Sequence, residues 1–138
     1  MISSEEREYI YQQEKYTLGE TLVWQTISGS DRIIAPVFLE SGEELTLRAT
    51  KSPRRFSFAL HYRRNQLIRR WDCKRHTNPD GTVFADGTPH KHYWTPEYGD
   101  DFAYEVDDIP LDNFNHALMA FLKECNIRIE GNFQLVLF

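Results

Sequence analysis

Two cysteines in a chain of 138 residues are too few for a disulfide framework, and the separation of Cys73 from Cys125 resembles no cysteine-based zinc site. Cys125 closes an apolar helical stripe and reads as core, while Cys73, between Asp72 and Lys74, reads as a partly exposed thiol. Long apolar runs are missing as well: nothing approaches the roughly 20 consecutive apolar residues that a membrane-spanning helix needs. The first residues, Met1 to Thr17, are acidic and aromatic where a secretory leader would have a basic start and an apolar centre. These absences predict a cytoplasmic protein with reduced thiols and no membrane partner. Internal repeats and low-complexity tracts are also lacking, so residues 1–138 read as one domain, large enough to bury a real core.

What the middle of the chain lacks is negative charge. Between Arg48 and Lys91 eleven Lys or Arg stand against three Asp, a local excess of +8, while the remainder sums to -13 and the whole chain to -5. Clustered cations are the electrostatic footprint of nucleic-acid binding. The competing explanation is that basic strands face the acidic flanks within the fold.

Turn chemistry divides the chain into elements. Ser3 or Ser4 ahead of Glu5-Glu6-Arg7-Glu8 predicts a capped helix from about Ser4 to Glu14. Thr21 to Ile27, Arg32 to Leu39 and Glu43 to Ala49 read as strands separated by Ser-, Gly- and Asp-rich turns. Pro36 counts against a central place for the second of these, because proline donates nothing to a ladder. Phe56 to Tyr62 alternates with period two and pairs through a turn with Leu67 to Cys73. Lys74 to Pro89 reads as a loop, His90 to Thr95 and Phe102 to Val106 as strands. Asp112 is the expected cap of a helix from about Asn113 to Glu124, whose Phe114, Leu118, Phe121, Leu122 and Cys125 share one face. Ile127 to Ile129 and Phe133 to Phe138 read as strand-like. The expected fold is α+β: a single antiparallel sheet of about six to eight strands, with an N-terminal helix and a C-terminal helix packed on one face.

Chemistry concentrates between Arg69 and Trp94, which holds three of the five histidines among cations and aromatics. His90 and His92 are two apart on a presumed strand and project to one face. Paired imidazoles suit general acid and base roles in phosphodiester cleavage, because histidine titrates near neutrality. A base takes the 2′-hydroxyl proton, an acid protonates the leaving 5′-oxygen, and a cation such as Arg70 or Lys91 stabilises the phosphorane. An H-x-H pair also begins many metal sites, with His76 or Asp72 as a third ligand. The surrounding Arg69, Arg70, Lys74, Arg75 and Lys91 would repel a dication, which favours phosphate, so no cofactor is expected. Tyr93 and Trp94 suit stacking on unpaired bases, whereas Trp71 reads as core. His61 and His116 read as structural.

The run Arg70-Trp71-Asp72, His76-Thr77-Asn78-Pro79-Asp80-Gly81, Pro89-His90-Lys91-His92-Tyr93, then Tyr98-Gly99-Asp100 and Phe102-Ala103-Tyr104, resembles a group of small bacterial and prophage proteins of unassigned function. Phe58 to His92 more weakly resembles the TumE family of toxin–antitoxin components. That second resemblance implies a toxin acting on RNA, and together they nominate Arg70, Asp72, His76, His90 and His92. This sequence departs from the TumE pattern in its longer Thr77 to Thr88 insert and in the strands before Thr50.

The resulting expectation is a toxin–antitoxin or mobile-element protein that cleaves RNA without a metal through His76, His90 and His92. Asp72 would orient a histidine or arginine, and Arg69, Arg70, Arg75, Lys91, Tyr93 and Trp94 would contact substrate. Partners would be RNA and an antitoxin or host protein. The alternatives are a non-enzymatic inhibitor or regulator, and a histidine-based metal-binding protein.

Overall fold

The computed structural model describes residues 2–131. Helix α1 (Ser4–Gln12) is followed by strand β1 (Lys15–Leu18), a single 3-10 turn (Gly19–Thr21), and strands β2 (Gln25–Ile27), β3 (Ser30–Leu39), β4 (Glu44–Lys51), β5 (Phe56–Tyr62) and β6 (Gln66–Asp72). A small hairpin of β7 (His76–Thr77) and β8 (Val83–Phe84) precedes β9 (His90–Thr95), β10 (Gly99–Glu105), helix α2 (Phe114–Glu124) and β11 (Ile127–Glu130). The expected strand-like stretch Phe133 to Phe138 lies outside the described residues. Among the described residues no helix is long and apolar enough to cross a membrane.

Nine strands make the main sheet in the order β10-β9-β6-β5-β4-β3-β1-β11, with β2 added against β3. The α+β class holds. The sheet is larger than expected and not wholly antiparallel, since β1 and β11 pair in parallel with Lys15 opposite Ile127. The separate β7–β8 ribbon lies where only a loop was expected.

Period-two alternation explains how the sheet faces its core. Phe56, Phe58, Leu60 and Tyr62 of β5 are buried on one side, alongside Leu45, Leu47 and Ala49 of β4 and Ile33, Ala35 and Val37 of β3. Helix α2 covers this side: Phe121 packs 5.8 Å from Phe58 and edge-on 5.3 Å from Trp71, and Leu118, Leu122 and Cys125 of the same stripe are sealed. Ile10 of α1 joins the same cluster. The helix begins one residue later than expected. Asn113, not Asp112, accepts the Asn115 N–H at 2.8 Å, and Asp112 instead pairs with His116 one turn on.

The run Thr21 to Ile27 is not one strand. Leu22 is buried while Val23 and Ile27 are exposed, so the stretch breaks into the 3-10 turn, a link and the short β2. Proline also sits where it was argued against: Pro36 lies within β3, which has neighbours on both sides. The β1 ladder stops at Tyr16 opposite Phe38, and beyond it the Thr17 hydroxyl donates to the Pro36 carbonyl at 2.9 Å. Proline's missing N–H thus faces the side where no ladder bond is required.

Lys15 is fully buried, and its ammonium donates to the carbonyls of Tyr11, Gln13 and Cys125 at 2.7–2.8 Å. It satisfies carbonyl groups where both helices end, while burial lowers its pKa to about 8. Cys73 is buried rather than partly exposed: its sulfur meets the Phe56 N–H at 3.1 Å, and burial raises the thiol pKa. A thiol held protonated in this way is no nucleophile at neutral pH.

Candidate functional site

Among the described residues no helix covers the opposite side of the sheet, and the strand registers decide what it displays. Paired residues share a face, so Arg70 opposite His92 and Asp72 opposite His90 stand together on the open side, while Trp71 opposite Lys91 faces the helices. Between Asp72 and His90 the chain leaves the sheet and folds back over the two histidines as the β7–β8 hairpin. Its turn is built by Asn78-Pro79-Asp80-Gly81: the Gly81 N–H donates to the Asn78 carbonyl at 2.9 Å, proline takes the second position, and Gly81 adopts φ +90°, a region side chains disfavour.

The excursion is fastened at three points. The Asn78 side chain is buried and imitates a strand, donating to the Ala103 carbonyl at 2.9 Å and accepting the Ala103 N–H at 3.0 Å along the edge of β10 that has no strand partner among the described residues. His76 Nε2 lies 2.6 Å from the Asp101 carbonyl. Arg55 at the β4–β5 turn pairs with Asp86 at 2.7 Å.

His76 thereby reaches both strand histidines, with ring centroids 5.6 Å from His90 and 4.6 Å from His92, which are themselves 5.0 Å apart. Phe84 stacks on His90 from the hairpin side at 5.2 Å. The sequence-predicted trio does converge. It converges beneath a cover: His90 and His92 are 0% and 1% exposed, and only His76 is half-buried. Burial, with Arg70 and the neighbouring imidazoles, lowers the pKa of His92 to about 4, and burial lowers that of His90 as well. Both rings are neutral at pH 7. In this arrangement a phosphodiester cannot touch them, so general acid–base cleavage would require the hairpin to lift away.

The predicted substrate contacts separate into three groups. Arg69 and Lys91 lie on the helix-covered side, not beside the histidines: Glu124 accepts from Arg69 at 2.9 Å, from Lys91 at 2.7 Å and from the Trp71 indole at 2.8 Å. Lys91 is 4% exposed, bonds Asp108 at 3.0 Å and sits 4.4 Å over the Trp71 ring, so it cannot serve as a phosphate contact. Arg70 stays by the histidines but is held by Asp72 at 2.9 Å and Asp100 at 3.3 Å. Asp72 therefore orients an arginine, and it also accepts from Ser57 and the Lys74 N–H. Arg75 is exposed. Tyr93 is 42% exposed but stacks on Phe102 within a small aromatic patch, and Trp94 carries the Arg7 guanidinium over its ring at 4.3 Å.

One cluster went unread in the sequence. Strand β3 begins, β4 ends, β5 begins and β6 ends at the same end of the sheet, as Asp31 opposite Lys51 and Ser57 opposite Asp72 show. Arg32, Lys51, Arg54, Arg55, Lys74 and Arg75 gather there. Arg32, Lys51, Arg55 and Lys74 line a cleft of about 250 Å³ with the hydroxyl residues Ser30, Thr50 and Ser52. Hairpin pairing, legible from the turns, would have brought these residues together.

A family model of unknown function, DUF6978, matches residues 2–127. The chain belongs to that family. The match agrees with the unassigned family that the H-x-N-P-D-G and P-H-x-H pattern resembles, and nothing in it extends to TumE-type components. No curated protein and no solved structure matches the chain. For this DUF6978 member, the pattern's residues have visible roles in the fold: His76 packs on the strand histidines, Asn78 pairs the edge, and Pro79 to Gly81 make the turn.

Proposed function

We propose that the protein is a nucleic-acid-binding module that holds single-stranded RNA through its phosphates at the basic end of the open sheet face, with the histidine cluster securing the fold there rather than attacking the strand. The observation that carries this reading is the cleft in which Arg32, Lys51, Arg55 and Lys74 surround hydroxyl groups. Phosphate oxygens are matched by guanidinium, ammonium and hydroxyl donors together. Arg32, Arg48, Arg54, Lys74 and Arg75 form no ion pair among the described residues, so their charge is free for a partner. The face leading away from the cleft is mixed, with Arg48, Ala59, Thr46 and His61 in its middle and the half-buried Tyr16–Phe38 pair, 5.4 Å apart, toward the far end. A groove of exposed cations that tracks the backbone, with rings along the same face for stacking, is how proteins hold unpaired strands.

Fluorescence anisotropy with a short labelled single-stranded RNA tests this. Binding should weaken linearly on logarithmic axes as salt rises, and Arg32→Ala/Lys74→Ala/Arg75→Ala should lower affinity at least about tenfold. Equal binding by that triple variant, or none by the parent protein at low salt, defeats the reading; the latter would favour a regulator that docks on a host protein. The same incubation reports on chemistry, since RNA cut by the parent and spared by His76→Ala would restore the nuclease reading. Expression in a bacterial host separates a toxin from a regulator: growth arrest relieved by the triple variant would assign a toxic RNA target.

A further inference from the structure

We propose that His90, His92 and His76 form a structural binding site for one divalent transition-metal ion of the zinc class. The geometry fixes which nitrogens are available. His90 Nδ1 lies 2.9 Å from the Thr88 carbonyl and His92 Nδ1 lies 2.7 Å from the Asp100 carbonyl. A carbonyl can only accept, so each Nδ1 carries the ring proton and each Nε2 presents a bare lone pair. Both Nε2 atoms are buried and have no hydrogen-bond partner among the described residues. Two such orphans on adjacent, fully buried rings call for an explanation, because buried polar atoms are otherwise satisfied.

His76 follows the same pattern, with Nε2 committed to the Asp101 carbonyl at 2.6 Å and Nδ1 left as the lone-pair nitrogen. Histidines that bind metals characteristically donate their second ring nitrogen to a carbonyl or carboxylate, which fixes the tautomer and the ring orientation. Two buried rings fixed in this way, with a third imidazole packed against both, supply the donors of a ligand set. Their spacing agrees. Two imidazoles on one tetrahedral ion, with metal–nitrogen bonds of about 2.0–2.1 Å, place ring centroids about 5 Å apart, and the three separations here are 4.6, 5.0 and 5.6 Å.

Among the described residues no set of three or more His, Cys, Asp or Glu side chains is already disposed around a metal position. His90 and His92 are therefore the fixed pair, and His76, half-buried on the hairpin, supplies the third nitrogen by turning its ring, which exchanges its present contact with the Asp101 carbonyl for the metal. Electrostatics permit a dication. Arg69 and Lys91 are on the far side of the sheet with Glu124, and Arg70, the cation beside the imidazoles, is offset by Asp72 and Asp100. Nitrogen donors without a thiolate suit zinc, cobalt, nickel or copper(II) rather than soft-metal or iron–sulfur chemistry. Burial of His90 and His92 leaves no opening for substrate, so the ion would pin the hairpin to the sheet.

Chelator-treated, tag-free protein titrated with cobalt(II) and then zinc should show visible d–d bands saturating at one equivalent, displacement by zinc, and a higher thermal midpoint with metal than without. His76→Ala, which leaves the buried pair in place, should weaken cobalt binding at least about tenfold, in line with loss of a ligand or its support. His92→Gln, checked for native circular dichroism, should abolish it. No saturable uptake by the parent protein overturns the proposal, and so does uptake unchanged in His76→Ala. Should His92→Gln fail to fold, the His76→Ala titration alone still decides.

Discussion

Two groups of cations, close in sequence, have opposite fates in the fold. Arg69 and Lys91 project to the helix side, where their side chains are 15% and 5% exposed and share the carboxylate of Glu124. Lys74 and Arg75, in the loop just past the end of β6, are exposed and form no ion pair among the described residues. The first group is internal structure and the second is available surface. A charge count along the chain treats them as one basic segment, yet a one-residue change of strand phase reverses a side chain's face.

The sharpest way to break this contrast is to remove its hub. Glu124→Ala removes the acceptor that two largely buried cations and an indole N–H share, leaving Lys91 with Asp108 alone and Arg69 with uncharged acceptors, so unfolding by urea should show a loss of about 3 kcal/mol; a loss under about 1 kcal/mol would mean the pair is solvated after all. Asn78→Ala comes next. Deleting both bonds to Ala103 should cost about 1–2 kcal/mol, and sedimentation should show concentration-dependent association through the uncovered β10 edge.

Acid probes the same boundary from the histidine side. The folded-state pKa of His92 is about 4 against an ordinary 6.5. Between those values the unfolded chain takes up protons that the folded chain refuses, so stability is full above about 6.5 and declines as pH falls toward 4. Denaturation midpoints measured across that range should fall, with a shallower slope in a folded His92→Gln variant. A flat profile would show that the rings are solvated. The smallest effect is expected at the free cations: Arg75→Ala should change stability by less than about 0.5 kcal/mol while lowering RNA affinity, whereas Lys91→Ala should do the reverse.

Much of this fold is legible in the sequence. Helix α2 is, because Leu118, Phe121, Leu122 and Cys125 repeat at helical spacing and nothing local competes. The shared face of His90 and His92 is, because strand alternation is a local rule. What the sequence hid was non-local. Nothing near Lys15 announces that β1 will pair with a strand beyond α2, or that its amine will close two helix ends. Nor does the apolar look of Thr21 to Ile27 disclose that Val23 points outward. The insert after Asp72 read as a loop because its strands are only two residues each, and its return over the histidines depends on Asn78 meeting an edge formed by residues 25 positions later.

The parallel pairing of β1 with β11 sets an order of events during synthesis. Lys15 and the Cys125 carbonyl are 110 positions apart, so this margin of the sheet stays unfinished until nearly all the described chain has left the ribosome. Closing so long a loop is entropically slow, and until then β1 exposes a strand border that nascent neighbours can capture. Variants that weaken β11 should accordingly reveal themselves in lower soluble yield at high expression rates before they alter the equilibrium stability of material that has already folded.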